Sequence, residues 1–582
     1  RDGGQLLCQA PTGIGKSMSV LFPALKSMGN ESVGPIFYLT ARGTTRTAAE
    51  NALAILRDTE PELHLRSVTL TAKDKICLCE TRECTPEACP YANGYYARIK
   101  GALWDVLDVP CLTAETLQEY AKRHTVCPFE LGLDSSLWSD VIIGDYNYLF
   151  DPVVHLVRFF ESAGDYIFLV DEAHNLPGRA REMHSATLTK TSFYEAKKLL
   201  GKGKSSLKNA LTKVNDVFIE WRHRAEEETA ARDGRFGKTF FLKERSEEFD
   251  HLLNRLCEPL EAWLDDHREP DETHTALLQL YFDVRAWLRV ADTFDDHFVL
   301  QITASGSEVR AAQLCLDPSA FLADSFALGR AAVLFSATLA PASYYKDLCG
   351  VPEARAVALR SPFPAGNQGL FCIGNVSTRY KDRDASLAIV EESLATMVRA
   401  RCGNYLAFFP SYAYMEQAYA QFKEHCPEIN CIKQENAMDE QQKAAFLAQF
   451  VPGPSQTLLG FAVMGGVFGE GVDLTGDRLI GVGIVGPGLP QVGPRQEQLR
   501  DYFEQTRGSG FDYAYRYPGM NKVLQAAGRV IRTPQDKGVV LLIDNRFAMP
   551  DYRRLMPPHW SHLKMIYDTE ELERELWRFW EE

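Results

Sequence analysis

Residues 5–17 read Gln-Leu-Leu-Cys-Gln-Ala-Pro-Thr-Gly-Ile-Gly-Lys-Ser, and the fold class follows from this segment. Gln5 to Ala10 has the composition of a short buried strand, and an apolar helical pattern follows from Met18 to Leu25. Gly13 and Gly15 let the backbone turn tightly, so that successive N–H groups and the helix N-terminus face an anion. A strand, a glycine loop and a helix in this order predict a phosphate-binding P-loop.

The side chains of this loop suit ATP with Mg²⁺. Lys16 would reach the β- and γ-phosphates, and the Ser17 hydroxyl would complete the Mg²⁺ shell. Ala10 stands where the usual pattern has glycine. The alternative is an ordinary glycine-rich turn before a helix, which Gly-Lys-Ser in this context disfavours. The predicted ATP-binding residues are Ala10, Pro11, Thr12, Gly13, Ile14, Gly15, Lys16 and Ser17.

A second segment, Tyr166-Ile-Phe-Leu-Val-Asp-Glu-Ala-His174, supplies two acids to the same site. An apolar run that ends in carboxylates is typical of a buried parallel strand, whose C-terminal edge carries the acids. Asp171 is predicted to hold Mg²⁺, and Glu172 to polarise the attacking water. His174 would relay the nucleotide state to a second lobe. Taken alone, the motif could end a solvated strand, but the P-loop before it makes that the lesser interpretation.

Three more apolar runs fit the same sheet, namely Pro35 to Thr40, Asp140 to Gly144 and Ala331 to Thr338. From about Gly403 the alternation of strand and helix starts again, which predicts a second parallel-sheet lobe without a P-loop of its own. The apolar runs of this second lobe are Tyr405 to Phe409, Ile429 to Lys433, Thr457 to Val463, Leu479 to Val485 and Val539 to Asp544.

Two further motifs lie in this second half, Phe468-Gly-Glu-Gly-Val-Asp473 and Gln525-Ala-Ala-Gly-Arg-Val-Ile-Arg532. The spacings i, i+4 and i+7 of Gln525, Arg529 and Arg532 predict one shared helical face. Two guanidiniums on one face suit a γ-phosphate across a cleft, because charge builds on its oxygens during transfer. A surface helix making salt bridges is the alternative, and the apolar residues between the arginines favour the catalytic interpretation. Asp473 is assigned to the nucleotide site.

Between the first strands and the two acids lies a polar segment with clustered cysteines. The predicted metal ligands are Cys77, Cys84, Cys89 and Cys127. Four thiolates with this spacing can hold a tetrahedral zinc ion or a 4Fe-4S cluster, and the spacing matches neither a paired C-x2-C zinc ribbon nor a bacterial ferredoxin. This chemistry leaves the metal open. Cys79 is the main rival to the first ligand, and Cys111 is a weaker rival to the last.

Together the motifs resemble the XPD/DinG branch of superfamily 2 helicases over essentially the whole chain. The matching order is Ala-Pro-Thr-Gly-Ile-Gly-Lys-Ser, Asp-Glu-Ala-His, Ser-Ala-Thr, Gly-Glu-Gly-Val-Asp and Gln-Ala-Ala-Gly-Arg-Val-Ile-Arg. The resemblance implies an ATP-dependent DNA helicase of 5′→3′ polarity that translocates on single-stranded DNA and unwinds forked DNA in repair or replication. It also decides the metal, because helicases of this type carry a 4Fe-4S cluster at this position.

Contacts with the DNA strand are assigned on the same resemblance. Thr40 and Arg42 follow the second strand, where related helicases grip backbone phosphates. Tyr146 follows another strand of the lobe and is expected to stack on a base. The basic run from Lys197 to Lys208 would line the strand path or form a solvated helix face. Ordinary packing is the alternative for the first three residues.

The predicted fold is α/β, with two RecA-like P-loop lobes and two inserts in the first lobe. One insert is the cysteine-rich Fe–S domain, and the other shows helical periodicity and, by resemblance, is an arch. Arch and cluster domains would close a hole through which one strand passes. The predicted boundaries are 1–70, 136–186 and 315–365 for the first lobe, 71–135 for the cluster domain, 187–314 for the arch and 366–582 for the second lobe.

Composition limits the function classes. The 582 residues carry a formal net charge of −15, which excludes a non-specific nucleic-acid scaffold but not a motor that grips a strand in a narrow groove. No run approaches the roughly 20 apolar residues of a membrane span. Fourteen cysteines without a disulfide pattern indicate a cytoplasmic protein with reduced thiols.

Two other functions stay open at this point. One is a translocase or remodeller that moves on single strands without separating a duplex, and the other is an ATP-gated structural subunit of a repair assembly. Protein partners stay open as well. The chain begins at Arg1 without a methionine, so we expect a domain or segment to precede it.

Overall fold

The computed structural model describes residues 3–29, 33–41, 43–60, 62–202, 205–231, 237–269, 271–466, 468 and 474–581. Within these residues the strands form three sheets. In chain order the strands are β1 (Gly4–Gln9), β2 (Ile36–Thr40), β3 (Ser67–Thr69), β4 (Cys111–Leu112), β5 (Val141–Asp145), β6 (Ile167–Asp171), β7 (Ala186–Thr189), β8 (Lys238–Leu242), β9 (Phe298–Ser305), β10 (Glu308–Cys315), β11 (Ala331–Ser336), β12 (Arg355–Ala358), β13 (Gln368–Ile373), β14 (Asn404–Phe409), β15 (Asn430–Lys433), β16 (Leu458–Val463), β17 (Gly481–Val485), β18 (Gly538–Ile543) and β19 (Lys564–Ile566).

Helices connect most of these strands. The α-helices span Lys16–Met28, Gly43–Thr59, Lys73–Ile76, Tyr95–Val106, Ala114–His124, Pro128–Ser135, Asn147–Phe150, Val157–Phe160, Leu176–Met183, Lys190–Leu199, Ser206–Ala231, Glu247–Asp266, Glu272–Thr293, Ser319–Ala327, Ala342–Leu348, Arg383–Arg399, Tyr412–His425, Glu440–Ala448, Pro494–Arg507, Tyr517–Ala527, Pro550–Arg553 and Thr569–Glu581, and a π-helical turn spans Asp512–Arg516. Short 3₁₀ turns span Ser136–Trp138, Ala173–Asn175, Ala365–Asn367, Tyr380–Asp382, Gly476–Arg478, Asn545–Ala548 and Pro558–Trp560. Among the helices of the described residues, none has the length and apolar character that a bilayer span demands.

The first sheet is entirely parallel, in the order β12-β1-β11-β6-β2-β5-β3-β4. Its central strands are apolar and buried, as expected where helices cover both faces of a parallel sheet. All carboxyl ends lie at one edge, where β1 leads into the P-loop, β6 ends at Asp171 and β11 ends at Ser336. Because β11 lies between β1 and β6, three predicted motifs become neighbours.

The third sheet forms the second lobe and is also parallel, in the order β15-β16-β14-β17-β18-β13-β19. The predicted α/β fold with two parallel-sheet lobes is therefore confirmed. Strand β13 lies before the predicted restart at Gly403, and β19 lies after the last predicted strand. β19 has three residues, too short a run to predict a strand, whereas the apolar run of β13 was present in the sequence and was missed.

The cysteine-rich segment 71–135 packs directly on the first lobe. Its strand β4 pairs with β3 and so extends the first sheet. Ile76, Ile99 and Leu117 of the segment are buried in the same apolar core as Val68 and Ile142 of the lobe. The segment thus shares the core of the lobe on which it sits.

The second insert has a core of its own, built on an antiparallel sheet of order β7-β10-β9-β8. The four helices between Lys190 and Thr293 contribute most of that core. The sequence predicted the helices but not the sheet. The sheet does leave a trace in the sequence, namely the alternation of apolar residues in β9 and β10. These two strands are joined at Gly306, where φ is +62°.

Candidate nucleotide site between the two lobes

A cavity of about 1130 Å³ lies at the carboxyl edge of the first sheet and is lined by both lobes. The first lobe contributes Pro11, Thr12 and Glu172, among others. The second lobe contributes Gln525, Arg529 and Arg532. The residues predicted to serve one ATP site from two lobes therefore face one space.

The P-loop has the predicted backbone form. The amide N–H of Ala10 donates to the carbonyl of Ser336 at 2.8 Å, and the helix begins at Lys16. Gly13 has φ +81°, which favours glycine, and a Cβ built there would lie 2.3 Å from the carbonyl oxygen of Arg532. Glycine at this position therefore permits both the turn and the close approach of the second lobe.

The two acids end β6 in different environments. Burial and the neighbouring Glu172 raise the pKa of Asp171 to about 6. Burial opposes ionisation of Glu172 as well, but the charge of Lys16 and the hydrogen bonds from His174 and Ser336 outweigh it and lower the pKa of Glu172. Lys16 Nζ lies 3.7 Å from Glu172 Oε1. Glu172 is thus held as a carboxylate, the state that can polarise a water molecule.

A chain of hydrogen bonds runs from this carboxylate to the second lobe. The Ser336 hydroxyl donates to Glu172 Oε2 at 3.0 Å, and His174 Nδ1 lies 2.7 Å from Ser336 Oγ. Gln525 Nε2 lies 2.5 Å from His174 Nε2. An amide nitrogen only donates, so His174 Nε2 accepts and the ring proton lies on Nδ1. The predicted relay through His174 thus has continuous contacts.

The two arginines do not share a helical face with Gln525, so that prediction was wrong. The helix Tyr517–Ala527 ends before them, at Gly528. The Asp536 carboxylate then accepts hydrogen bonds from the backbone N–H of Arg532 at 2.7 Å and from that of Thr533 at 2.8 Å. These bonds compete with a helical continuation and hold the chain in a turn. Both arginines nevertheless line the cavity.

Two cysteines of the predicted cluster region, Cys79 and Cys89, bring their sulfur atoms together. Cys79 Sγ lies 3.8 Å from Cys89 Sγ, and the Cys79 N–H lies 3.5 Å from Cys77 Sγ. Cys84 is exposed, and Cys127 directly precedes the helix Pro128–Ser135. Within the residues that the structure describes, no group of three or more His, Cys, Asp or Glu side chains is arranged to hold a metal ion. The thiol donors suit iron, but the side chains do not form a finished metal geometry.

Two of the residues predicted to contact the DNA strand, Tyr146 and Thr40, are buried. Tyr146 is fully buried, and its hydroxyl donates to the backbone carbonyl of Asp171. Its ring is therefore not available to a base, and that prediction was wrong. Thr40 is also buried at the end of β2, with its hydroxyl against Thr45. Arg42 and Asp473 lie outside the described residues.

One residue of the site, Tyr38, belongs to none of the sequence motifs. The Tyr38 hydroxyl lies 3.0 Å from Ser17 Oγ and donates to Asp171 Oδ2 at 2.7 Å. The available signal was a tyrosine inside an otherwise apolar buried strand, because a buried tyrosine hydroxyl usually has a hydrogen-bond partner.

Comparisons with known proteins agree with this geometry. A family described as DEAD_2 matches residues 60–193, and a family described as helicase C-terminal domain matches residues 394–563. The general transcription and DNA repair factor IIH helicase subunit XPD of Schizosaccharomyces pombe is 24% identical over 76% of this chain and 67% of its own length. The ATP-dependent DNA helicase CHL1 of Coccidioides immitis is 22% identical over 78% of this chain. The chain spans 60% of the length of that second relative.

Solved structures share the fold. A structure titled XPD_Helicase has a TM-score of 0.63 at 18% identity and covers 97% of this chain and 96% of its own. A structure of S. tokodaii Xpd4 has a TM-score of 0.60 at 14% identity, with 97% and 96% covered. The two-lobe architecture is thus shared along nearly the whole chain.

Two substitutions test the nucleotide site. Lys16→Ala is expected to abolish ATP hydrolysis, because the phosphates lose their cation. Glu172→Gln is expected to bind nucleotide but not to turn it over, because the attacking water loses its orienting carboxylate. Phosphate release reports turnover, and a fluorescent ATP analogue reports binding. Lys26→Ala, an exposed lysine of the same helix, is the control, and DNA-stimulated phosphate release retained by Lys16→Ala would contradict the assignment.

Proposed function

Because this chain belongs to the XPD/DinG family of superfamily 2 helicases, we propose that it is an ATP-driven DNA helicase that moves 5′→3′ on single-stranded DNA and unwinds forked DNA. The observation that carries the proposal is the cavity between the lobes, which is lined by Glu172 from the first lobe and by Arg529 and Arg532 from the second. Lys16 reaches this group through Glu172, with Nζ 3.7 Å from Glu172 Oε1. The second lobe lacks a P-loop in its sequence, so its arginines serve the phosphates held by the first.

Hydrolysis follows from the placement of these groups. The P-loop amides and Lys16 bind the β- and γ-phosphates, and Glu172 orients a water for in-line attack. Ser17 and Asp171 would hold Mg²⁺, and they fit it because a hydroxyl and a carboxylate are the hard oxygen donors that Mg²⁺ prefers. Both oxygens lie within hydrogen-bond distance of the Tyr38 hydroxyl and so close to each other. A bound Mg²⁺ would neutralise charge on the phosphate oxygens. Arg529 and Arg532 stabilise the charge that builds on the γ-phosphate.

Movement follows from the contacts that join the lobes at the same place. The Thr12 hydroxyl donates to the carbonyl of Gly528 at 3.3 Å, and Gln525 contacts His174. Nucleotide between the lobes would hold them together, and loss of the γ-phosphate would release Arg529 and Arg532. Repeated closing and opening would then advance the chain along the strand.

The cysteine-rich segment is proposed to carry a 4Fe-4S cluster on Cys77, Cys84, Cys89 and Cys127. The contact of Cys79 Sγ with Cys89 Sγ supports a metal site in this loop and keeps Cys79 as the rival of Cys77 for the first ligand. A bound cluster would supply cross-links between this loop and the helix that follows Cys127. The second insert is proposed to act as the arch that closes the strand passage with it.

Unwinding of duplexes with a 5′ tail, a 3′ tail or a fork tests the main proposal. We expect ATP-dependent strand displacement on 5′-tailed and forked duplexes and none on the 3′-tailed duplex. Displacement is followed by separation of a labelled strand. ATP-dependent movement on single strands without displacement would instead identify a translocase. ATPase activity absent in the presence of DNA would remove the motor proposal altogether.

Arg532→Ala tests whether the two lobes form one ATPase. Turnover is expected to fall at least about a hundredfold, since an arginine finger contributes roughly 10³–10⁵ in turnover, while nucleotide affinity changes little. Arg532→Lys should not restore turnover, because an ammonium lacks the forked geometry of guanidinium. Arg529→Ala should show a similar or weaker defect. Arg399→Ala, which breaks an exposed ion pair with Glu428, is the control. Near-normal turnover in both arginine variants would reject the composite site.

Serine substitutions test the cluster ligands. Cys84→Ser and Cys89→Ser are expected to lose iron and its broad visible absorbance, and unwinding should fall more than ATP hydrolysis. Cys111→Ser, in β4, is the matched control and should keep its iron. Comparing Cys77→Ser with Cys79→Ser identifies the first ligand. One zinc and no iron in protein purified without oxygen would show that the proposed metal is wrong.

A further inference from the structure

Tyr38 occupies the middle of β2, and its hydroxyl contacts two residues assigned to the nucleotide site. The hydroxyl lies between Ser17 Oγ, at 3.0 Å, and Asp171 Oδ2, at 2.7 Å. Ser17 and Asp171 come from the P-loop helix and from β6, so one buried tyrosine links two elements that are far apart in sequence.

The directions of these hydrogen bonds follow from the groups involved. An ionised carboxylate only accepts, so Tyr38 uses its single proton on Asp171. Ser17 must then donate its own proton to the Tyr38 oxygen. The Ser17 lone pairs are thereby turned away from Tyr38 and left for a cation. The other Asp171 oxygen, Oδ1, accepts from the backbone N–H of Glu172 at 2.8 Å.

We propose that Tyr38 is a positioning residue for Mg²⁺, which it serves by orienting the Ser17 hydroxyl and the Asp171 carboxylate before the ion and ATP bind. This inference rests on the proposed ATPase function and deepens it. Without the tyrosine hydroxyl, Ser17 would be free to rotate and to point its proton towards the ion site. The Asp171 carboxylate would lose one of the two hydrogen bonds that fix its orientation.

The surroundings keep Tyr38 in place. Its side chain has no exposed surface, and β2 is flanked by β5 and β6 on its two sides. Its ring meets Phe335 edge to face, with the centroids 6.0 Å apart. The hydroxyl therefore has a fixed position and does not exchange Ser17 or Asp171 for bulk water.

Tyr146 is a second buried tyrosine beside Asp171. Its hydroxyl also reaches Asp171, but it donates to the backbone carbonyl rather than to the carboxylate. Tyr146 therefore supports the path of the chain at the end of β6. Tyr38, by contrast, is hydrogen-bonded to Ser17 Oγ and Asp171 Oδ2, which belong to the two groups that would hold the ion.

Tyr38→Phe tests the inference through binding as well as activity. Affinity for a fluorescent, non-hydrolysable ATP analogue is measured with excess EDTA and again with saturating Mg²⁺. The increase in affinity caused by Mg²⁺ is expected to fall about tenfold in the variant, as for a lost hydrogen bond to a charged group. Affinity in EDTA should stay within about twofold of the wild type, because the Tyr38 hydroxyl contacts Ser17 and Asp171, which are assigned to the ion rather than to the phosphates. In ATPase assays, half-saturating Mg²⁺ should rise by a similar factor, with a smaller change in kcat at saturating Mg²⁺.

Tyr405→Phe is the matched control, because it removes the hydroxyl of a buried strand tyrosine in the second lobe. Tyr38→Leu, which also lacks the hydroxyl, gives the same readout if the phenylalanine variant does not fold. An unchanged Mg²⁺ effect in a folded Tyr38 variant, with a normal effect in the wild type, overturns this inference and leaves the ATPase proposal standing. Absence of any Mg²⁺ effect in the wild type overturns both.

Discussion

Two adjacent carboxylates at the end of one buried strand are the constraint on which the site depends. Burial opposes the ionisation of both Asp171 and Glu172, the charge of Glu172 opposes that of Asp171 further, and each carboxylate needs its own compensation. Lys16 and Ser336 approach Glu172, and Tyr38 approaches Asp171. Lys16 begins the helix that follows β1 and the P-loop, Ser336 ends β11, and Tyr38 lies in β2. The parallel order β1-β11-β6-β2 is the arrangement that places them around one strand end.

The second lobe meets the nucleotide site through backbone carbonyls as well as through the side chain of Gln525. The carbonyl of Arg532 lies where a side chain at position 13 would be, and the carbonyl of Gly528 accepts from Thr12. Glycine in the P-loop therefore has two functions, since it shapes the loop and admits the other lobe. The side chains of Arg529 and Arg532 line the cavity next to these backbone contacts. A small shift between the lobes would move these guanidiniums relative to the phosphates, which is the coupling that a motor requires.

Much of the fold was predictable because each lobe repeats a local pattern. The predicted strands around Asp171 and in the second lobe agree with the structure to within about two residues. The strands of the second insert were missed, because helical periodicity dominates that region and its sheet is assembled from segments far apart in the chain. The cysteine-rich segment was read as a separate domain, yet its β4 completes the edge of the first sheet. Pairing at a sheet edge depends on a distant strand and leaves little trace in local composition.

Residue types at short spacings were enough to predict the P-loop, the acids at the end of β6 and the second-lobe residues that line the cavity. It took the tertiary structure to bring Arg529 and Arg532 of the second lobe to the same cavity as Glu172 of the first, since these residues are far apart in the chain. The tertiary structure also decided that Tyr146 is buried while Tyr38 joins the nucleotide site. Tyr38 and its partner carboxylate are separated by 133 positions in the chain. No local pattern records such a hydrogen bond, because the sheet order that creates it is set by packing along the whole lobe.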